Sequence, residues 1–411
     1  MSPPAAPSPG PVRASERILA PDLARGSMLL LIALANTPWY IWGRELSGYS
    51  VHPTEGSLLD RAVQFVIITA VDARVYPMFA FLFGYGMVQL LRRQTAAGVP
   101  ERSARALLRR RNLWLLVFGF LHAALLWMGD VLGAYGLAGL VLGALFLRRR
   151  DTTLLVWGGV LAALLFLAGI LAVLGAVALT LLGGSLGAGD LMAGLNASVT
   201  TGNYATSVVE RVLFWPSAVV DQGLLSMSVP IAILLGFWAA RRQILEEPHL
   251  HLPLLRTVAV VGVGLGLLGG VPNALHHLGA LPLPAEQGWV FVFTQTATGL
   301  ACGIGYVALF GLLGHRLAGR ARHGLAITAV TAVGRRSLSA YLAQSALCAP
   351  LLAAWGLGLG GEFGSAAMAA FALGVWLVTV AGCYALERVG RRGPAEAALR
   401  RLAYGRAAGR S

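Results

Sequence analysis

The sequence predicts an all-α membrane protein: a polytopic helix bundle of about ten transmembrane helices with both termini cytoplasmic. Three observations predict it. Of 411 residues, 57% are apolar and 12% charged, whereas a soluble domain carries about 25% charged residues. Ten separate apolar runs are long enough to cross a bilayer, which takes about 20 apolar residues and sometimes about 17. The basic residues, all arginine, alternate by side. With the N-terminus inside, all but Arg44, Arg61, Arg74 and Arg211 of the 32 fall on inner segments, the asymmetry that orients membrane proteins. The net charge of +14 therefore marks cytoplasmic loops and not nucleic-acid binding. With no lysine and abundant Ala, Gly and Leu, the composition suggests a GC-rich bacterial genome. The expected location is the bacterial cytoplasmic membrane, multi-pass.

Residues 1–16, with MSPPAAPSPGPVR, read as a disordered Pro-rich tail. No small-residue cleavage site follows the first apolar run, so this is not expected to be a signal peptide. Residues 17–390 form the bundle, introduced by Arg17-Ile-Leu-Ala-Pro-Asp22-Leu-Ala-Arg25-Gly26. Asp22 and Arg25, three apart, share a helix face. They read either as a positive-inside anchor with a local ion pair or as the place where an anionic cofactor meets planar guanidinium forks. The first span, 27–43, carries Asn36 about 16 Å beyond Arg25 at about 1.5 Å per residue.

Residues 57–70 read as an amphipathic helix at the outer surface. Asp72-Ala-Arg74 follows as an interfacial anchor for the second span, 75–91, where Gly84 and Gly86 would let another helix come close. Spans 112–128 and 131–147 make a hairpin holding His122 and Asp130. Asp130, after Gly129, is a good helix cap. Equally, it is the carboxylate that would orient His122 for acid–base work. Span 153–182 leads to a Gly-, Ser- and Thr-rich outer segment, 183–211, expected to be a flexible loop. Span 214–240 contains Asp221 and Gln222, and an intramembrane aspartate needs a partner. Span 254–272 is followed by Asn273, His276 and His277. Adjacent histidines diverge by about 100° on a helix, so no metal is expected. Spans 288–313, 332–354 and 365–386 complete the bundle, and 391–411 is a basic cytoplasmic tail. Cys302, Cys348 and Cys383 lie in apolar runs and read as core residues. No internal repeat is evident.

Several stretches together resemble the YeiB-like bacterial membrane proteins: R-x₄-D-x-x-R-G at Arg17, FAFLFGYG in the second span, and G-F-L-H-x₄-W-x-G-D-V-L-x-x-Y-G-L-x-G across the hairpin. So do Gly334-Arg-Arg-Ser-Leu-Ser-Ala-Tyr-Leu-Ala-Gln-Ser345 and Gly393-Pro-Ala-Glu-Ala-Ala-Leu-Arg-Arg-Leu-Ala-Tyr-Gly405. The resemblance covers about residues 15–405. That family is similar to transmembrane acyltransferases, among them heparan-glucosaminide acetyltransferases and bacterial surface-sugar O-acyltransferases. The resemblance implies acyl-CoA, first of all acetyl-CoA, arriving from the cytoplasm, with Arg17, Asp22 and Arg25 near its phosphates. It implies a sugar, lipid or small-metabolite acceptor on the far side. Asn36 stands where the sugar enzymes have their histidine, so the expected base moves to His122, with Asp130 orienting it and His52 as runner-up. Asn36, Tyr341 and Gln344 are candidate oxyanion donors, and Asp221, Tyr341 and Gln344 candidate substrate contacts. The alternative is a small-molecule or lipid carrier without acyl transfer, suggested by Asp221 and the histidines. Membrane lipids and acyl-CoA are the expected partners, nucleic acid is not, and a homo-oligomer is compatible with the pattern.

Overall fold

The computed structural model describes residues 19–46, 49–182, 191–281, 283–319 and 323–404. They are helical throughout, with no strand among them. The Pro-rich tail and Arg17 lie outside the described residues.

Helix α1 (Leu19–Asn36) begins earlier than the first expected span and passes into a 3-10 turn, Thr37–Tyr40. Helices α2 (Leu58–Ala70) and α3 (Val75–Ala96) follow. Ser57 starts α2 with a reciprocal capping box, its side chain taking the Asp60 amide while the Asp60 carboxylate takes the Ser57 amide. Helices α4 (Glu101–Leu125) and α5 (Leu132–Phe146) form the hairpin, and α6 (Asp151–Leu181) runs on as a long apolar helix. Then come α7 (Leu191–Thr200) and α8 (Tyr204–Val220), a π-turn over Asp221–Leu225, and α9 (Ser228–Arg241). Helices α10 (Leu252–His277), α11 (Trp289–Ala318), α12 (Leu325–Arg335), α13 (Ser337–Leu352), α14 (Ser365–Arg388) and α15 (Pro394–Tyr404) complete the chain.

Six helical stretches are long and apolar enough to cross a membrane, or seven if the bent pair α8–α9 is one span. This is a multi-pass membrane protein by length and composition. The remaining expected spans are shorter or more charged. Helix α5 has 15 residues, or about 22 Å at 1.5 Å per residue, against a hydrocarbon core of about 30 Å. The expected span 332–354 is two short helices, α12 and α13, broken at Arg336. The first half of α4 carries Arg102, Arg105 and Arg109–Arg111.

Other differences from expectation have local causes. The outer segment after α6 is not simply loop. Helix α7 and the start of α8 occupy it, Asn203 capping α8 by accepting the Thr206 amide at 3.2 Å. Serine, threonine and asparagine here act as caps and bridges. The sixth run is bent by 50° between Tyr204–Leu225 and Ser228–Arg241, where the π-turn ends and Met227 takes a positive φ of 57°. Within the C-terminal basic segment, α15 buries Leu399 and Ala403, its amphipathic face set against α4 and α13.

Close helix crossings rest on glycine. A methyl on Gly84 of α3 would fall on the Ile233 backbone of α9, and one on Gly236 of α9 would fall on the Phe81 backbone of α3. Gly26 and Gly334 do the same for α1 against α12, meeting the backbones of Val330 and Asp22. With no hydrophobic drive between helices in lipid, such backbone approach supplies the packing. Gly236→Val is expected to lower stability by about 1–3 kcal/mol through overpacking. Gly374→Ala on α14, where nothing lies within 4 Å, should stay within about 0.5 kcal/mol. Thermal unfolding of the two variants in one detergent checks the contrast.

Candidate functional site

A cavity of about 390 Å³ opens among the arginine-rich parts of α1, α3, α4, α12, α13 and α15. Arg25, Arg93, Arg111, Arg335, Arg392 and Arg400 line it, against two carboxylates, Asp22 and Glu396. Arg25 is placed by the Leu82 carbonyl, to which its Nη2 donates at 3.1 Å. Gly86 leaves the room its guanidinium needs. Asp22 lies 3.7 Å from Arg25 Nη1 and 3.4 Å from Arg335 Nε. Both carboxylates are occupied within the protein: Glu396 accepts the Leu338 and Ser339 amides at 2.8 and 3.1 Å, closing the first turn of α13. Burial, and behind it the neighbouring Arg400, holds the Arg392 guanidinium below the usual arginine value. The cavity therefore carries a surplus of positive charge.

Deeper in, the lining turns apolar and aromatic: Phe79, Phe83, Leu115, Leu132, Tyr135 and Tyr341. The Tyr341 ring lies 5.0 Å, centroid to centroid, from that of His122. His122 Nδ1 is 2.8 Å from Asp130 Oδ1, and both side chains are wholly buried. Asp130 also accepts the Leu132 amide at 3.2 Å and the Gly133 amide at 2.7 Å. It is thus both the cap of α5 and the carboxylate of His122, the two roles that local pattern left open. With Nδ1–H donated to Asp130, the lone pair sits on Nε2. That atom is buried and has no protein partner among the described residues. Gly119 makes the pairing geometrically achievable: a side chain there would strike the Asp130 carboxylate and the Gly133 amide.

The other expected residues fall as follows. Gln344, three residues above Tyr341, is buried and donates to the Leu29 carbonyl at 3.1 Å, its Oε1 without a partner. Asn36 ends α1, half-buried, at the opposite end of that helix from Asp22 and Arg25. It is not among the residues lining the cavity. Asp221 is exposed at the bend between α8 and α9 and does not reach the cavity. It stands at the start of the π-turn, Asp221–Leu225. His52 forms a second dyad, its Nε2 2.8 Å from Asp72 Oδ2, with the His277 ring 5.8 Å away. The Asp72–Arg74 pair is no interfacial anchor. Asp72 holds His52, while Arg74 is fully buried and donates to the Gly266 carbonyl at 2.8 Å.

Sequence reasoning took Arg93, Arg111, Arg335, Arg392 and Arg400 as markers of orientation only. Arg335, Glu396, Arg400 and Tyr404 did stand within the quoted C-terminal motifs, so the signal was present without a role. Arg400 lies over the Tyr404 ring at 5.5 Å.

Comparison with known proteins gives kinship and no activity. Residues 239–406 match the family described as "Protein of unknown function (DUF418)". The chain is 26% identical over 417 aligned residues to "Uncharacterized protein YxaH" of Bacillus subtilis (strain 168), covering 96% of each. It is 27% identical over 424 aligned residues to "Uncharacterized protein YeiB" of Escherichia coli (strain K12), covering 96% of this chain and 98% of the relative. It is 33% identical over 132 residues to an "Uncharacterized 39.9 kDa protein in amylase 3'region" of Bacillus acidopullulyticus, which spans 32% of this chain and 35% of that one.

The double role of Asp130 separates two substitutions. Asparagine ranks with aspartate as a cap but has one acceptor oxygen where the carboxylate uses two, so Asp130→Asn should lose less stability than Asp130→Ala, which should lose about 1 kcal/mol or more. Unfolding midpoints in detergent check the difference.

Proposed function

We propose that this YeiB-like membrane protein is a transmembrane acyltransferase that moves an acyl group from cytoplasmic acyl-CoA to an acceptor at the outer face. The observation that carries the reading is continuity. One cavity begins at six arginines and narrows to Tyr341, whose ring lies against the buried His122–Asp130 dyad. Guanidinium forks suit the phosphates of CoA, and the apolar neck suits the pantetheine arm and the acyl group. His122 Nε2 takes a proton from the acceptor hydroxyl or amine. The freed lone pair attacks the thioester carbonyl, and the oxyanion is met by Gln344 or Tyr341. Collapse breaks the C–S bond, and His122 returns the proton to the leaving thiolate. Asp130 holds the imidazole in its tautomer throughout. Acetyl-CoA is the simplest donor. The acceptor is a sugar, lipid or small metabolite.

The orientation belongs to the same reading: ten passages, both termini cytoplasmic, in the bacterial cytoplasmic membrane. Arginine asymmetry supports it, with the α4–α5 hairpin and the α12–α13 pair as short passages packed against longer helices. A carrier without acyl transfer draws support from one feature, the span bent by 50° at α8–α9, because broken helices frame many transport sites. The exposure of Asp221 weakens it.

Purified protein should consume acetyl-CoA in the presence of a suitable acceptor, and His122→Ala should slow turnover about 10²–10⁴-fold, the usual worth of a positioned base. Full turnover by a folded His122→Ala variant removes the role given to His122. Arg400→Gln should raise KM for the donor by about 10- to 100-fold and leave kcat nearly unchanged, because one charge-assisted hydrogen bond of about 1.5–3 kcal/mol is lost from binding alone. Solute flux into proteoliposomes with no acyl donor present would favour the carrier.

A further inference from the structure

A second cavity, also about 390 Å³, lies between α3, α4 and α5 and shares no lining residue with the first. On α4 it is lined by Arg102, Arg105, Arg109 and Asn112. Steps of three and four residues put these on one helix face. Arg105 pairs with Glu101 at 3.5 Å. Arg102 and Arg109 make no ion pair among the described residues. One turn beyond Arg109, about 4.5 Å along the axis, stands Asn112. It is only 1% exposed. Its Oδ1 has no partner, and its Nδ2 reaches only the Met87 sulfur at 3.9 Å. A buried primary amide so poorly satisfied is costly unless a ligand completes it.

The rest of the lining is apolar. Leu108, Leu140 and Leu147 stand beside Gly139 and Gly143 of α5, which the Asn112 amide and the Met87 methyl approach closely. Leu113 and Leu145, the neighbours of Asn112 and Ala144, are 50% and 56% exposed, so apolar surface flanks the cavity as hydrocarbon would require. From the arginine-rich end inward the polar groups pass from cations to an amide, with Leu108, Leu140 and Leu147 alongside them. Cations and then an amide match the order of phosphate and glycerol oxygens in a membrane lipid, and the leucines offer its chain an apolar wall.

We propose that this cavity binds an anionic glycerophospholipid of the leaflet on the arginine-rich side. Arg102, Arg105 and Arg109 hold its phosphate, Asn112 serves the glycerol oxygens, and a chain lies against Leu108, Leu140 and Leu147. Basic pockets between transmembrane helices at the cytoplasmic side recognise such headgroups. A free phosphate would use the arginines but leave the amide and the apolar wall without a partner. The site is independent of acyl transfer, because none of its residues belongs to the donor cavity.

Native mass spectrometry of the full chain, delipidated and re-supplied with phosphatidylglycerol, phosphatidylcholine or inorganic phosphate, tests it. Wild-type protein should retain phosphatidylglycerol in preference to phosphatidylcholine, and excess inorganic phosphate should not displace it. The pair Arg105→Gln, Arg109→Gln should weaken phosphatidylglycerol binding about thirtyfold, from about 1 kcal/mol per arginine. Arg105→Lys with Arg109→Lys should restore most of it. Equal retention of the zwitterionic lipid, displacement by phosphate, or unchanged affinity in the glutamine pair overturns the proposal. If the glutamine pair does not fold, Asn112→Leu decides: weakened lipid binding supports the site, and unchanged binding overturns it.

Discussion

A guanidinium taken out of water has to meet oxygen, and that requirement runs through this fold. Two buried arginines show it, Arg74 donating to the Gly266 carbonyl and Arg211 to the Ala124 carbonyl, and the exposed Arg44 and Arg61 likewise reach the carbonyls of Glu362 and Leu278. Exceptions to the loop-charge rule are thus structural clamps between distant segments. Arg211 is the fullest case, using Nε and Nη2 on Ala124 and Nη1 on Ser207. Its cation also stands over Tyr204 and Trp355. At the other end the requirement works in reverse. Arginines crowd one cavity whose two lining carboxylates already serve Arg25, Arg335 and the first turn of α13, so its lining carries a surplus of positive charge.

Two buried histidine–aspartate pairs occupy different parts of the bundle, and their surroundings assign them different weight. His122 is fixed through Nδ1 to an aspartate that also closes a helix, beside a tyrosine on the cavity wall. His52 is fixed through Nε2 and neighbours another histidine, away from the arginine cavity. The same dyad chemistry thus stands beside the arginine-lined cavity at one place and not at the other.

Much of the helix pattern and the chief pair were legible in the sequence, because apolar runs and a hairpin histidine are local features. Asp130 could be read both as cap and as carboxylate from eight residues of spacing, and the structure has it as both. What could not be read was who stands opposite. Arg93, Arg335 and Arg400 lie far apart along the chain and meet only because α3, α12 and α15 converge. Asp221 looked like a buried aspartate because an apolar run was taken as one straight helix. It stands exposed at the start of the π-turn. Arg74 looked interfacial because nothing in its neighbourhood announces the Gly266 carbonyl, 192 residues away.

The shortness of α5 bears on the membrane itself. A helix of 15 residues falls about 8 Å short of a hydrocarbon layer about 30 Å thick. Such hydrophobic mismatch is met by thinning the bilayer or by water and neighbouring helices at the short end.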